Sequence, residues 1–219
     1  DKLMKRTQNR PLPSERISIQ EAIWLAVILF SGASFIFLIE FNLRACALAI
    51  LSTILYGFVY TPLKRKGPIA VFVGAIPGAF PPMIGWVAAT NQFGLEPGIL
   101  FAIQFFWQFP HFWAIAWVLN EDYKKAGFNL LPSKVGKDRR SAVQMMIYTL
   151  FLLPVGWLPY ELGITGINSA LIAMLFGVLF LGQTFHLMRK CSDKTALQLM
   201  FGSFIYLPIV QIAYLLDKI

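Results

Sequence analysis

The sequence predicts an all-α protein, a polytopic transmembrane helical bundle, from three observations. Hydrophobic residues make up 57% of the 219-residue chain and charged residues only 14%, unlike the balance in soluble domains. Seven segments are apolar over the about 20 residues that a helix needs to cross a bilayer. The basic residues lie almost entirely between these segments. Lipid can solvate this much apolar side chain, whereas the core of one soluble domain cannot.

The predicted spans are helices because lipid leaves no other partner for their backbone polar groups. Strands of a membrane barrel would be about 10 residues long and alternate in polarity, which these segments do not do. No loop between the spans is long enough for a second domain, so we expect one membrane domain over residues 1–219. The predicted spans are residues 22–39, 43–60, 69–90, 98–119, 141–159, 166–187 and 196–216.

Positive charge is confined to one predicted face of the bilayer. The N-terminal arm and alternate loops carry 17 of the 19 Lys and Arg residues. By the positive-inside rule the arm faces the cytoplasm and the C-terminal tail faces out. We expect a bacterial inner (plasma) membrane, because the loops are short and no targeting segment is seen. The net charge of +8 then reflects topology and contact with the lipid bilayer, and we expect no nucleic-acid partner.

The third predicted span is rich in glycine and proline. Its prolines predict an interrupted or kinked helix, because each removes a backbone donor. Gly74 and Gly78 form a GxxxG pair, which lets another helix approach closely. We interpret this span as a kinked packing helix, and direct contact with a ligand is the alternative.

Two basic segments at the predicted cytoplasmic face are candidate anion sites. Arg6 and Arg10 lie in the N-terminal arm, and the arginine fork suits phosphate oxygens. Lys64 and Arg65 follow Tyr60 at the end of the second span and make a compact cationic cluster. Lipid headgroup binding by the arm and topology-setting by the cluster are equally compatible with these patterns.

The loop after the fourth span contains the adjacent carboxylates Glu121 and Asp122 beside two lysines. Adjacent carboxylates suit a hard cation such as Mg²⁺ that shares its ligands with phosphate. Solvated loop charges would give the same pattern. The sequence therefore predicts a candidate metal site and leaves the solvated alternative open.

A polar stripe in the fourth span strengthens the metal hypothesis. Gln104, Gln108, His111 and Asp122 are spaced to fall on one helical face. Polar side chains inside a span face a protein interior or a cavity, since lipid does not solvate them. His111 has two interpretations, a structural residue or a ligand, whereas His186 lies at a span end and is interpreted as interfacial.

Five segments together resemble the motifs of the protoheme IX farnesyltransferases, a branch of the UbiA-type intramembrane prenyltransferase superfamily. YTPLKR is similar to an element found across the superfamily, whereas RPLP, the proline-rich span and FPHFW favour the heme branch. The resemblance covers nearly the whole chain. The segments are RTQNRPLP (Arg6–Pro13), YTPLKR (Tyr60–Arg65), VGAIPGAFPPMIGW (Val73–Trp86), FPHFWAIAW (Phe109–Trp117) and EDYKKAGFNLLP (Glu121–Pro132).

The resemblance implies transfer of a farnesyl group from farnesyl diphosphate to a vinyl group of heme B. The product would be heme O for heme-copper oxidase biogenesis, and heme A synthase would be a downstream partner. The family holds the diphosphate through Mg²⁺ on two Asp-rich motifs, which match this chain at Asp1 and at Asp122. Glu121 could replace a carboxylate of the second motif, because Val118 stands where some members have one.

The resemblance also implies roles for the other candidates. Lys64, Arg65 and Tyr60 would act at the leaving group, and Arg6 and Arg10 would bind the diphosphate. Gln108 and His111 would contact substrate, with His111 ligating the heme iron, orienting the ring or doing neither. Family members have nine transmembrane helices and the Asn and earlier Asp of the first motif are absent here, so we expect an N-terminally truncated chain that lacks the first two helices.

Two other functions remain open at this point. A UbiA-type enzyme that prenylates a quinone precursor would share the diphosphate site and differ in the acceptor pocket. A multi-pass transporter or lipid-binding protein is the alternative of another class. A transporter would concentrate polar groups near the middle of the membrane and often contain an internal repeat, neither of which the sequence shows.

Overall fold

A computed structural model describes residues 2–219 and confirms the all-α prediction. Seven helices are long and apolar enough to cross a membrane, as predicted. Between residues 2 and 219 the only strand-like pairing is an isolated bridge from Thr165 to Lys218. Asp1, a predicted metal ligand, lies outside the described residues.

The first two spans each combine several helical segments. A π-helical turn continues the first helix over Phe37–Phe41, and the second span changes to π-helical geometry over Leu55–Tyr60 and to 3₁₀ geometry over Lys64–Lys66. The α-helices are α1 (Ile19–Ile36), α2 (Leu43–Ile54), α3 (Thr61–Leu63), α4 (Ile69–Thr90), α5 (Leu95–Val118), α6 (Asn120–Lys125), α7 (Arg139–Glu161), α8 (Ile167–Lys190) and α9 (Asp193–Leu216).

Polar caps set several helix ends. Ser18 and Glu21 form a capping box, in which the Glu21 N–H donates to Ser18 Oγ over 3.2 Å. Asn42 is extended and separates the first two spans, and its side chain accepts from the Ala45 N–H over 2.9 Å. Helix α1 therefore begins at Ile19, before the predicted start at residue 22, whereas α2 begins at Leu43, as predicted.

The predicted interruption of α4 is wrong, because α4 is one helix that contains Pro77, Pro81 and Pro82. A helical proline leaves the carbonyl four residues earlier without its usual donor. Pro81 does this to the carbonyl of Pro77, and Ser52 Oγ on the neighbouring α2 donates to that oxygen over 3.1 Å. A side chain from another span thus satisfies the freed carbonyl, as membrane bundles require.

Helix α5 lies at the centre of the bundle. It packs against α4, α7 and α9, and 56% of its most apolar stretch is buried inside the protein, against none for the first span. Trp117 and Phe109 of α5 pack in the core with Tyr206 of α9, and each is at most 1% exposed. The polar side chains of α5 consequently face other helices or cavities and not lipid.

Hydrogen bonds connect the loops on the basic face to the ends of the helices. Asp193, the first residue of α9, accepts hydrogen bonds from the buried indole Nε1 of Trp117 at 3.1 Å and from Lys137 Nζ at 2.8 Å. Asp138 caps α7 by accepting from the Ser141 N–H over 2.9 Å. These contacts fix the loop over residues 126–138, which forms part of the cavity described next.

Candidate active site

A cavity of about 740 Å³ opens on the basic face, between the N-terminal arm, the end of the second span and the segment around α6. Four cationic side chains line it: Arg6, Arg10, Lys64 and Arg65. No carboxylate from residues 2–219 lines it. We call this cavity the basic pocket. Its charge suits a ligand with several negative charges.

Aromatic rings hold Lys64 within the basic pocket. Its Nζ lies 4.4 Å from the centroid of the Tyr60 ring and 5.8 Å from that of Tyr56. The two rings are 5.2 Å apart, so they form one surface under the ammonium. The absence of a side chain at Gly74 makes room for Tyr60, because a Cβ there would overlap the ring.

A second cavity of about 140 Å³ continues inward from the basic pocket. The two share Tyr56, Tyr60, Tyr123 and Leu130 as lining residues. We call it the inner cavity. The combined shape suits an amphipathic ligand with an anionic head and an apolar remainder. The other lining residues are Val71, Gly74, Gly78, Gln108, Phe112, Ile115 and Ala116.

Gln108 lies on α5, and its side chain reaches α4 beside the inner cavity. Its Nε2 donates to the carbonyl of Ala75 over 3.1 Å and to that of Gln104 over 3.2 Å. The residue is 3% exposed. Gly78 lies against the amide oxygen, and a Cβ at that position would overlap it. The GxxxG pair of α4 therefore accommodates two side chains, Tyr60 and Gln108.

The predicted metal-binding carboxylates lie on α6 next to Tyr123 of the pocket wall, but they do not line the basic pocket. Asp122 Oδ1 is 3.8 Å from Lys125 Nζ, and its side chain is 25% exposed. Glu121 Oε1 is 3.9 Å from Lys124 Nζ and is largely exposed. In the described part of the chain, no group of three or more His, Cys, Asp or Glu residues lies close enough together to hold a metal ion by itself.

The predicted polar stripe from Gln104 to Asp122 is not continuous, and that prediction was wrong. Helix α5 ends at Val118, and α6 begins at Asn120 after a break. On the N-terminal side of this break the polar residues face different helices. Gln108 hydrogen-bonds to α4, whereas His111 Nδ1 lies 2.8 Å from Ser203 Oγ of α9.

His111 packs within the bundle and lines neither the basic pocket nor the inner cavity. Its ring stacks on Trp107 with centroids 4.4 Å apart and meets Phe204 edge-on at 5.0 Å. It is 7% exposed. The structure thus separates His111 from the other predicted site residues. Its proposed role toward heme stays a prediction.

Three residues that shape the site were not predicted. Tyr56 precedes Tyr60 by one helical turn, and Tyr123 follows Asp122 directly, so spacing could have identified both. Asp193 lies at the start of α9, 76 residues from its partner Trp117, and carried no comparable signal.

Comparisons with known proteins give the family. The model of the UbiA prenyltransferase family matches residues 1–207. A protoheme IX farnesyltransferase of Cytophaga hutchinsonii is 58% identical over 219 residues, covering 100% of this chain and 77% of that protein. One of Flavobacterium psychrophilum is 48% identical over 225 residues, covering 100% of this chain and 73% of that protein.

A solved structure described as concerning digeranylgeranylglyceryl phosphate synthase in membranes has the same fold. It superposes with a TM-score of 0.80 at 24% identity, covering 97% of this chain and 75% of that one. At that identity the likeness concerns the fold alone. The matched family model and the extended identity to its members lead to one conclusion: this chain belongs to the UbiA prenyltransferase family.

Proposed function

We propose that this protein transfers a farnesyl group from farnesyl diphosphate to a vinyl group of heme B, giving heme O. The observation that carries the proposal is the basic pocket, where four cations converge at the entrance to the inner cavity. Such a site suits a diphosphate joined to an apolar chain. The names of the similar proteins supply the farnesyl donor and the heme acceptor.

The chemistry begins at the diphosphate. Lys64, Arg65, Arg6 and Arg10 stabilise the negative charge that develops as the bond between farnesyl C1 and oxygen breaks. The electron pair leaves with the diphosphate, and the allylic cation remains beside the ring faces of the tyrosines. The vinyl group of heme B attacks farnesyl C1, and water captures the cation that forms on the heme side chain.

Magnesium fits the carboxylates next to the pocket by donor chemistry. Mg²⁺ binds through one or two carboxylates and completes its shell with water and substrate phosphates. Asp122 is the first candidate because its helix carries Tyr123 into the pocket wall, and Glu121 is its neighbour. Asp1 stays a predicted ligand. When bound there, Mg²⁺ would neutralise charge on the diphosphate.

The remaining assignments concern the acceptor and the cell. Gln108 faces the inner cavity and is proposed to contact substrate, whereas the heme role of His111 has no support from the cavity lining. We infer a bacterial inner membrane with the basic pocket at the cytoplasmic face. Heme A synthase would receive the product.

The decisive experiment incubates membranes containing the protein with heme B, farnesyl diphosphate and Mg²⁺. Mass spectrometry should detect heme O. Prenylation of a quinone precursor without heme O would assign the protein to the other UbiA activity. Absence of any prenyl transfer would reject the proposal.

The metal assignment is tested by Asp122→Asn. We expect turnover to fall by about 100-fold or more, because a metal contribution to charge neutralisation is worth several kcal/mol. Glu15→Gln is the control, since Glu15 is an exposed acid of the same face paired with Lys2 at 2.6 Å. Turnover is measured against Mg²⁺ concentration, and an unchanged Mg²⁺ dependence in Asp122→Asn would remove Asp122 from the metal site.

A further inference from the structure

Gln108 is the one amide among the described residues that line the inner cavity; the others are apolar, glycine or tyrosine. The charge-stabilising groups of the proposed reaction do not include it. An amide buried in a membrane protein needs a reason, because unsatisfied polar groups there are costly.

Both N–H donors of Gln108 are already used. They bond to the carbonyls of Ala75 and Gln104, and this fixes which end of the amide is the oxygen. The oxygen, Oε1, lies beside Gly78, and both residues line the inner cavity. Within residues 2–219 the hydrogen bonds of the Gln108 side chain are the two that Nε2 donates, which leaves Oε1 without a protein donor there. Oε1 is not among the fully buried polar atoms that lack a partner, so it is accessible from the cavity. An acceptor at a cavity wall takes its hydrogen bond from water or substrate.

We propose that Gln108 positions the water that ends the reaction. This inference rests on the proposed function. Once farnesyl C1 has bonded to the terminal vinyl carbon, positive charge lies on the inner vinyl carbon next to the porphyrin. The oxygen of water bonds to that carbon, and the water proton leaves to the released diphosphate, which gives the hydroxyl group. Gln108 Oε1 accepts a hydrogen bond from this water and takes no proton itself, so Gln108 is a positioning residue.

The cation on the heme side chain can also react by a competing route, and the products of the two routes can be measured separately. If water is not in place, the cation loses a proton from the adjacent CH₂ to the diphosphate and forms an alkene. That product is lighter than the hydroxylated heme by one water. The alkene-to-alcohol ratio therefore reports on the placement of water and does not depend on the overall rate.

Two substitutions disturb the same oxygen from opposite helices. Gln108→Leu removes it, and Gly78→Ala places a methyl group where Oε1 lies. We expect the alkene-to-alcohol ratio to rise about fivefold to tenfold in each, the effect of losing one hydrogen bond on one of two competing steps.

Matched controls exist on α9 and α4. Gln211→Leu removes an amide whose Nε2 bonds to Gln104 Oε1 over 3.1 Å and which does not line the inner cavity. Gly85→Ala adds a methyl group to α4 where a Cβ meets nothing within 4 Å. Both should keep the wild-type ratio.

The measurement uses the full chain in membranes with heme B and farnesyl diphosphate, and mass spectrometry of the heme products. Water labelled with heavy oxygen should place the label in the alcohol. If wild-type protein prenylates heme and both Gln108→Leu and Gly78→Ala keep its ratio, Gln108 is a structural residue and the inference is overturned. If Gln108→Leu does not accumulate, Gly78→Ala decides alone. Absence of prenylated heme from the wild-type protein rejects the proposed function instead.

Discussion

Lys64 is held by rings and not by a carboxylate. Its ammonium faces Tyr60 and Tyr56, and within residues 2–219 no salt bridge involves Lys64 or Arg65. A lysine paired with an acid would have part of its charge neutralised before substrate arrives. Here the ring faces orient the ammonium while its charge stays available for a diphosphate.

Replacing Lys64 by methionine should therefore impair catalysis more than folding. We expect kcat/KM for farnesyl diphosphate to fall by about 100-fold, in the range seen when a group that stabilises developing negative charge is lost. Lys66→Met is the matched control, because Lys66 is exposed in the same cluster and does not line the basic pocket. Steady-state kinetics in membranes measure both variants. Equal losses would mean that the cluster acts only through general positive charge.

For individual side chains, prediction from the sequence succeeded where the relevant residues lie close together along the chain. Arg6, Arg10, Lys64 and Arg65 could be selected because they lie in short basic segments, and the structure brings all four to one pocket. The partner of His111 could not be predicted, since Ser203 lies 92 residues away and only the packing of α5 on α9 brings them together. The stripe failed for a different reason, because residue spacing does not reveal that α5 stops at Val118.

Helix α8 is capped from another helix. Asp217 follows α9, and its carboxylate accepts from the Ser169 N–H over 2.7 Å, while its backbone carbonyl accepts from the Gly166 N–H over 2.8 Å. A carboxylate at a helix N-terminus is favoured by the exposed N–H groups and the helix dipole. The hydrogen bond from the Ser169 N–H, followed by contacts from Asn168, holds the pKa of Asp217 below its usual value.

The lowered pKa of Asp217 predicts a pH-dependent stability. Because this pKa is lower in the folded than in the unfolded protein, the stabilisation is present above an ordinary Asp pKa of about 4 and is lost as pH falls through the folded value. Wild-type protein in detergent should have a higher melting temperature than the Asp217→Asn variant at pH 7. The difference between the two melting temperatures should shrink below about pH 4. Glu161→Gln serves as the control. A difference that stays constant with pH would contradict the cap.

Hydropathy was sufficient to locate the membrane-spanning helices, but it could not predict whether each helix is continuous. Seven apolar stretches became seven helices because lipid dictates helical backbone wherever a stretch is long enough. The continuity of α4 required Ser52 of α2 to satisfy the carbonyl of Pro77. That contact joins two spans, so no local pattern within α4 could indicate it.

The concentration of Lys and Arg residues on one face of the protein has two consequences. The basic face directs the orientation of the protein, and the same face holds the basic pocket. Because α5 occupies the centre and carries Gln108 into the inner cavity, the space that opens at the basic face extends into the protein interior. Orientation and substrate access are therefore linked.

The two cysteines of the chain test this orientation directly. Cys191 is exposed beside Arg189 and Lys190 on the basic face, whereas Cys46 is 2% exposed inside the bundle. A membrane-impermeant thiol reagent should label the protein in inverted inner-membrane vesicles and not in intact spheroplasts, because only the former present the cytoplasmic face. Cys191→Ser should abolish the labelling, since the remaining thiol is buried. Adding Lys218→Cys, at the opposite end of the bundle, to that variant should reverse the pattern. Labelling of Cys191 in spheroplasts would place the basic pocket outside the cell and overturn the proposed cytoplasmic site.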